Sequence, residues 1–316
     1  MKPLQKLTDN IPLWVYNILT LLSSLIALLS FLFNIILAIS GKIHDQSRTI
    51  SIVLGIIFIC CFIILCVRVN KYRKLSKNRL VSTSRGFHSF THSFRNSFFD
   101  ILHLYKIGQL TNESLTLHVE RCIKNGLDSL CNIMEDFTGQ KVSACIKLIE
   151  CTDDSGEISL DTATTRIFCR STNSSSERIS YDNGPERAHM YIKDDTALMR
   201  IVGNYGEAHD HFYCGDLDKY SKISEEINQS YHCPTPNRSK YYNGTMILPI
   251  RIPFDKLYYF KQDKAYHILG FLCVDSLSKN AFTDAQEDDN CSLGNAFADE
   301  FYVILSKYRH YLNKLN

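Results

Sequence analysis

The sequence predicts a membrane-anchored α+β chain: two N-terminal transmembrane helices, a helical linker, then an antiparallel sheet flanked by helices. Three observations predict it. The 316-residue chain opens with two long uncharged runs. A strongly basic segment follows them. The remainder alternates apolar stripes at helical spacing with short β-branched runs. On this reading residues 1–68 are a two-helix transmembrane module, 69–111 a basic juxtamembrane segment and helical linker, and 112–316 a mixed α+β domain.

The first run, 11–39, contains no charged residue. As a helix it is roughly 43 Å long, more than the roughly 30 Å hydrocarbon core. Trp14 and Tyr16 suit the interface. The second run, 49–67, is just long enough to span. The loop between them carries Lys42 and Arg48. The segment after them carries Arg68, Lys71, Arg73, Lys74, Lys77, Arg79 and Arg85. That bias predicts an inner- or plasma-membrane protein with two passes, both termini cytoplasmic, and a basic segment lying on lipid headgroups. The 12 cysteines have no regular spacing, which suits reduced thiols rather than a disulfide scaffold. A net charge of +2 implies no nucleic-acid partner.

In the first membrane helix Asn17, Thr20, Ser23, Ser24, Ser30 and Asn34 share one face, roughly 140° wide at about 100° per residue. Such a polar face packs helices together, or lines a water-filled path once several chains assemble. Beyond the basic segment, Phe87, Phe90, Phe94, Phe98, Ile101 and Tyr105 recur at steps of three and four, a helical stripe. His88 and His92 lie one turn apart, as a pH switch, as half a metal site, or as ordinary polar residues on the opposite face of a membrane-proximal helix. A helix over 112–138 follows, with Thr111 or Asn112 as its cap.

Strands are expected at 141–150, 164–171, 211–216, 244–252 and 266–276, and a short helix at 195–204. Pro249 places its strand at an edge or a bulge. Gly270 marks a bulge or a close backbone approach. Asp275 and Ser276 start the turn after it. The Ser-rich 171–180 and the polar 221–243 read as loops. A terminal helix carries Leu293, Phe297, Phe301, Ile304, Tyr308 and Leu312 in one stripe. This stripe holds more apolar surface than one sheet face needs, so the chain is expected to form a homo-oligomer, a dimer or larger.

The run "GTMILPIRI…YHILGFLCVDSLSKNAFTDAQEDDN…LGNAFADEFYVIL" resembles the C-terminal half of a GAF domain, and "YIKDDTALMRIVGNYGE" is similar to that family's small helix beside the pocket. The resemblance covers about 112–313. It implies a ligand pocket between the sheet and the helix-loop region over it, here about 186–245, and small-molecule ligands, cyclic nucleotides among them. The cyclic-nucleotide signature is matched in part: Asn280, Phe282 and Glu287 are present, Gln286 stands where an Asp falls, and Lys279 precedes Asn280. Tetrapyrrole-binding relatives use a pocket cysteine, for which Cys214 and Cys233 lie in the right region.

Asp194, Arg200, His211, Tyr213 and Arg251 are the polar ligand-binding candidates. Arg251 either meets a phosphate or sits on the strand's solvated face. His209, His211, Cys214, His232 and Cys233 have metal-ligating side chains, but their spacing matches no zinc pattern, so no metal is assigned. No cofactor is assigned either. The chain has no phosphate loop, kinase signature or nucleophile elbow, so it reads as a binding protein rather than an enzyme. Two membrane helices joined to a cytosolic ligand-binding domain are similar in architecture to membrane effectors of bacterial anti-phage signalling systems. The resulting expectation is a sensor-effector that binds a small signal and rearranges its membrane helices. The alternatives are a sensory scaffold for a separate partner and a GAF-fold thiol reductase using Cys214, Cys233 and Cys273.

Overall fold

The computed structural model describes residues 68, 69, 71, 80–150, 162–182, 190–202, 211–226, 231–233, 235, 237–252, 267–279 and 281–313. Contacts divide the chain after Leu80, and the second unit, Val81–Asn316, holds the whole sheet and its helices. Its elements in order are α1 (80–106), α2 (Asn112–Thr138), β1 (Ser143–Glu150), β2 (Thr164–Arg170), α3 (Ser176–Asp182), β3 (Met190–Tyr191), α4 (Thr196–Val202), β4 (Phe212–Cys214), α5 (Leu217–Glu226), β5 (Gly244–Ile252), β6 (His267–Ser276) and α6 (Glu287–Asn313).

The strands form one curled antiparallel sheet in the order β3-β2-β1-β6-β5-β4. An antiparallel sheet flanked by helices is what the sequence predicted for this region. β1 and β6 lie at its centre and are buried on both faces, so they read as continuous apolar runs rather than alternating ones. On one face Ala144, Ile146, Leu148, Met246, Leu248 and Val274 pack under α1, α2 and α6. On the other, Cys145, Ile149, Ile247, Phe271 and Cys273 pack under α4 and the segments beside it.

Gly270 is the hinge of this pattern. Ile250 pairs with Gly270 and Arg251 with Ile268, so Leu269 is the extra residue of a bulge. Side-chain alternation flips there: Leu269 joins the helix-side core, while Phe271 joins the opposite one. Pro249 needs no partner for its missing N–H on the far side, because β4 pairs only with Thr245–Ile247 of β5.

α2 starts where its sequence signals it. Thr111 Oγ1 accepts from the Ser114 amide at 3.3 Å, and the Thr111 amide donates to Ser114 Oγ at 2.8 Å. Gly139 ends it at φ 70°. α3 and α5, in or beside the stretches expected to be loops, are also capped. Ser175 Oγ accepts from the Arg178 amide, and Asp216 Oδ1 accepts from the Asp218 and Lys219 amides.

The membrane-anchored fold class and the two-pass membrane localisation are corrected. Among the described residues no helix is long and apolar enough to cross a membrane. The three longest, α1, α2 and α6, span 27 residues each, but charges recur along them: Arg85, Arg95, Asp100 and Lys106 in the first, Glu113, Glu120, Lys124, Asp128 and Glu135 in the second, Asp288, Asp299, Glu300 and Lys307 in the third. The predicted spans 11–39 and 49–67, with the polar face of Asn17, Thr20, Ser24, Ser30 and Asn34, lie outside the described residues. The likeness to membrane effectors rested on that module and has no support among the described residues.

The aromatic stripe expected of the linker belongs to the core. Phe90, Phe94 and Phe98 of α1 are buried with Phe297 and Phe301 of α6. Phe90 and Phe297 lie 4.3 Å apart between centroids, and Phe94 meets Phe301 edge-on at 5.3 Å. Phe297 and Phe301 of the α6 stripe are thus covered by α1 within the chain. Arg95 Nε and Nη2 donate to Glu300 Oε2 and Oε1 at 2.8 and 2.5 Å, pinning the two helices. The Arg95 side chain is half exposed, so Arg95→Ala should cost only about 0.5–1 kcal/mol, read as a lower urea midpoint at unchanged slope.

Candidate small-molecule groove

The sheet face away from α1 and α6 carries polar rows at its end. In one row Arg170 of β2 lies opposite Cys145, which lies opposite Cys273. In the next, Ser143 lies opposite Asp275, which lies opposite Thr245. Directly paired residues point to the same face, so these side chains share one surface. The other walls come from the C-terminal part of α2, from α3 and from the 240–242 stretch. With Arg170, Ser143 and Asp275 of the two rows, these walls bound an open cavity of about 490 Å³. That size suits a small organic ligand, for which pockets of about 300–1,000 Å³ are usual.

Arg178 reaches in from α3. Its guanidinium lies over the Tyr241 ring at 4.9 Å and near that of Tyr242 at 5.7 Å. Lys141 and Lys240 stand exposed at the mouth. Asp275 is buried, and its Oδ1 accepts from Thr245 Oγ1 at 2.7 Å. Glu135 Oε1 accepts from Asn173 Nδ2 at 3.0 Å and from the Val142 amide at 3.3 Å. Ser276 Oγ donates to the Lys141 carbonyl at 2.7 Å and accepts from the Ser278 amide, which closes the turn expected after β6.

Further along the same face Lys147 and Asp195 form a buried ion pair at 3.7 Å. Asp195 also caps α4, accepting from the Ala197 and Leu198 amides. Burial alone would pull the Lys147 ammonium down, but Cys273, Asp195, Cys145 and Cys233 outweigh it and hold it up. Cys145 and Cys273 share a hydrogen bond that draws Cys145 down and holds Cys273 well up.

The five predicted ligand residues do not converge. Asp194 is exposed in the turn before α4. Arg200 lies over Tyr220 at 5.2 Å. Tyr213 on β4 and His211 just before it share one side of the strand as the sequence suggested, but toward α6. His211 Nε2 meets Glu287 Oε1 at 2.9 Å. The Tyr213 hydroxyl donates to the Thr283 carbonyl at 3.0 Å and accepts from Asn290 Nδ2 at 2.8 Å. Burial pushes that hydroxyl up to about 12. Arg251 follows the bulge on β5, away from the groove lining. Neither group of three or more His, Cys, Asp or Glu side chains positioned to hold a metal, nor a described position for His209 or Asn280, is found among the described residues.

The cysteines proposed for thiol chemistry are poorly placed for it. Burial pushes Cys214 up to about 11, and the hydrogen bond that Cys273 donates to Cys145 raises Cys273. Cys233 is half-buried, with its sulfur 3.2 Å from the Tyr242 hydroxyl. The groove residues Arg170, Arg178, Tyr241 and Tyr242 escaped sequence reasoning. The one signal was a pair of arginines at the Ser-rich patch 171–180, Arg170 just before it and Arg178 within it.

No protein-family model and no curated protein matches the chain. Among solved structures it is similar to a type II free methionine-R-sulfoxide reductase from Thermoplasma acidophilum, at 11% identity and TM-score 0.34, covering 60% of this chain and 96% of that one. It is also similar to the GAF domain of an Acinetobacter phosphoenolpyruvate-protein phosphotransferase, at 13% identity and TM-score 0.33, covering 69% and 93%. A third is the phycoerythrobilin-bound GAF domain of a cyanobacterial phytochrome, at 13% identity and TM-score 0.30, covering 64% and 98%.

Proposed function

We propose that Val81–Asn316 is a small-molecule sensor whose signal binds in the groove at the end of the sheet, a nucleotide messenger being the first candidate. The observation that carries this reading is the groove itself. It is a cavity of about 490 Å³ over polar sheet rows, walled by an aromatic pair and by residues from four separate segments. A ligand there would tie α2, α3 and the 240–242 stretch together, which is how occupancy would be passed on. The Tyr241 ring offers a planar surface for a base, and the basic side chains suit phosphate.

The full chain should gain thermal stability with a cyclic mono- or dinucleotide. By mass action the gain is about 2.7 kcal/mol at a hundredfold excess over the dissociation constant. Tyr241→Ala removes a half-buried ring that packs on the core and under Arg178. It should weaken binding and also lower the unliganded melting temperature. The two effects are separated by comparing the ligand-induced shift in each protein. If neither nucleotides nor a broad metabolite panel shifts the transition, the reading gives way to a sensory scaffold that acts through a partner protein.

A further inference from the structure

Cys145 of β1 and Cys273 of β6 stand directly opposite each other on the two central strands. Opposed residues of an antiparallel pair point to one face, with Cα atoms about 4.5–5.5 Å apart. A disulfide spans about 4.4–6.8 Å between Cα atoms, so this pair can be bridged without moving the backbone. Both are free thiols, and a hydrogen bond already joins their side chains. Among the described cysteines no other two are opposed in the sheet register.

Their surroundings suit a reactive pair better than two small apolar side chains. Lys147, two residues along β1 on the same face, holds its buried ammonium beside them, and Asp195 and Cys233 complete the cluster. A cation beside a thiol favours the thiolate, which is the nucleophilic form. The hydrogen bond from Cys273 draws the Cys145 thiol down, and Arg170 and Lys147 act in the same sense against burial. Cys273, which makes that hydrogen bond, is held well up and keeps its proton. The two sulfurs are thus unlike: Cys145 is fitted to attack first and Cys273 to follow. Both are buried, but Ser143 and Asp275, their next neighbours on the same face, line the open groove. An oxidant as small as a peroxide has one row of side chains to pass.

We propose that Cys145 and Cys273 are a redox pair, which a hydroperoxide closes into a disulfide across the central strands. The Cys145 sulfur attacks the peroxide: an S–O bond forms, the O–O bond breaks, and the thiol is oxidised to a sulfenic acid. The peroxide is reduced to an alcohol, or to water from hydrogen peroxide itself, and takes up the Cys145 proton. Cys273 then attacks the sulfenic sulfur. The S–S bond forms, the S–O bond breaks, and the hydroxyl leaves as water with the Cys273 proton. In sum, two thiols and one hydroperoxide give one disulfide, one alcohol and one water. The link locks the strand pair next to the groove floor. Oxidation is then an input separate from ligand binding, and it stands whether or not the groove binds a nucleotide.

The test treats the folded, fully reduced full chain with hydrogen peroxide. Remaining thiols are then alkylated in urea, and the chain is digested with trypsin in the absence of reductant. Cleavage after lysine leaves Cys145 in peptide 142–147 and Cys273 in peptide 265–279, each with no second cysteine. The two should appear joined, about 2 Da lighter than their reduced sum, and dithiothreitol should separate them. Peroxide added to the chain in urea should instead scatter links among the cysteines, because the fold no longer opposes this pair. Cys273→Ala should leave Cys145 as a sulfenic acid that dimedone traps, and Cys145→Ala should leave Cys273 open to alkylation. The parent's link decides the matter alone if either variant does not fold. The proposal fails if peroxide leaves both thiols open to alkylation. It fails equally if Cys145 is carried to the sulfinic acid with no link, or if links form only at other cysteines. The pair then fills the core as two small apolar side chains.

Discussion

Gly270→Ala should unfold the chain at a much lower temperature, with a loss of about 3 kcal/mol or more. Gly270 lies in the centre of the sheet, opposite Leu148 on β1 and Ile250 on β5. A Cβ there would run into the carbonyl oxygen of Lys147 and sit 3.0 Å from the Leu148 Cα. Both obstacles are backbone, so relief requires β1 and β6 to part. That would break ladder bonds at the strand pair on which both cores rest. It would also disturb the bulge that sends Leu269 and Phe271 to opposite faces. For a unit of this size the loss corresponds to a fall of about 6–12 °C in Tm. Gly294→Ala is the control. A Cβ at Gly294 meets only the ends of the Leu248 and Met246 side chains, which can rotate, and alanine favours the helix by about 1 kcal/mol. If the two substitutions shift Tm equally, backbone approach is not what holds position 270 as glycine.

Much of the fold was legible because its local signals and its tertiary needs agree. The 27-residue helix α2 opens at Thr111 and closes at Gly139, both readable caps. β5 and β6 stood out as apolar runs, and their Pro249 and Gly270 carried information about pairing that the register bears out. α3 and α5 were missed because short, mostly polar helices show little apolar periodicity. Their capping residues, Ser175 and Asp216, were the only clue. The role of α1 was misjudged for another reason. A stripe of phenylalanines shows that a helix is buried, but not against what. Only the structure brings Phe90 and Phe94 onto Phe297 and Phe301, some 200 residues away.

The groove was less legible, because it is made by register rather than by spacing. Arg170 faces Cys145 through pairing with a bulge between Ile146 and Lys147, and nothing in either strand alone foretells that row. His211 and Tyr213 looked like pocket residues because they alternate beside an expected pocket. The parity of β4 turns them to α6 instead, and Phe212 and Cys214 into the core on the other face of the sheet. In a three-residue strand a shift of one residue exchanges the faces completely.

Asp195→Asn should destabilise the protein by about 3–5 kcal/mol at neutral pH and make its stability rise with pH. Lys147 stands on central strand β1 with its side chain 11% exposed, and the Asp195 side chain is 7% exposed. Burial is the largest influence on this ammonium and opposes its charge. Cys273 stays protonated at neutral pH, since its own pKa is raised, so the Asp195 carboxylate is the principal countercharge. With Asp195 in place the Lys147 pKa lies above its ordinary 10.5. The stabilisation from this shift is then fully present below 10.5 and lost only as pH climbs through the folded value, so the parent should show no slope from this pair between pH 6 and 9. Asparagine retains an oxygen to cap Ala197 and Leu198 but removes the charge. Burial then prevails and the folded pKa drops below the unfolded one. The unfolded chain now binds the extra proton, so raising pH from 7 toward 10 should recover part of the loss. Lys147→Met combined with Asp195→Asn removes both charges and keeps the cap. It should lie much closer to the parent than Asp195→Asn alone, because an unpaired buried ammonium costs more than an apolar side chain in its place. Urea titrations of the three variants across this pH range separate the effects. If Asp195→Asn shows no pH slope and the double variant no recovery, Lys147 reaches water without Asp195, and the site beneath α4 is wetter than its burial implies.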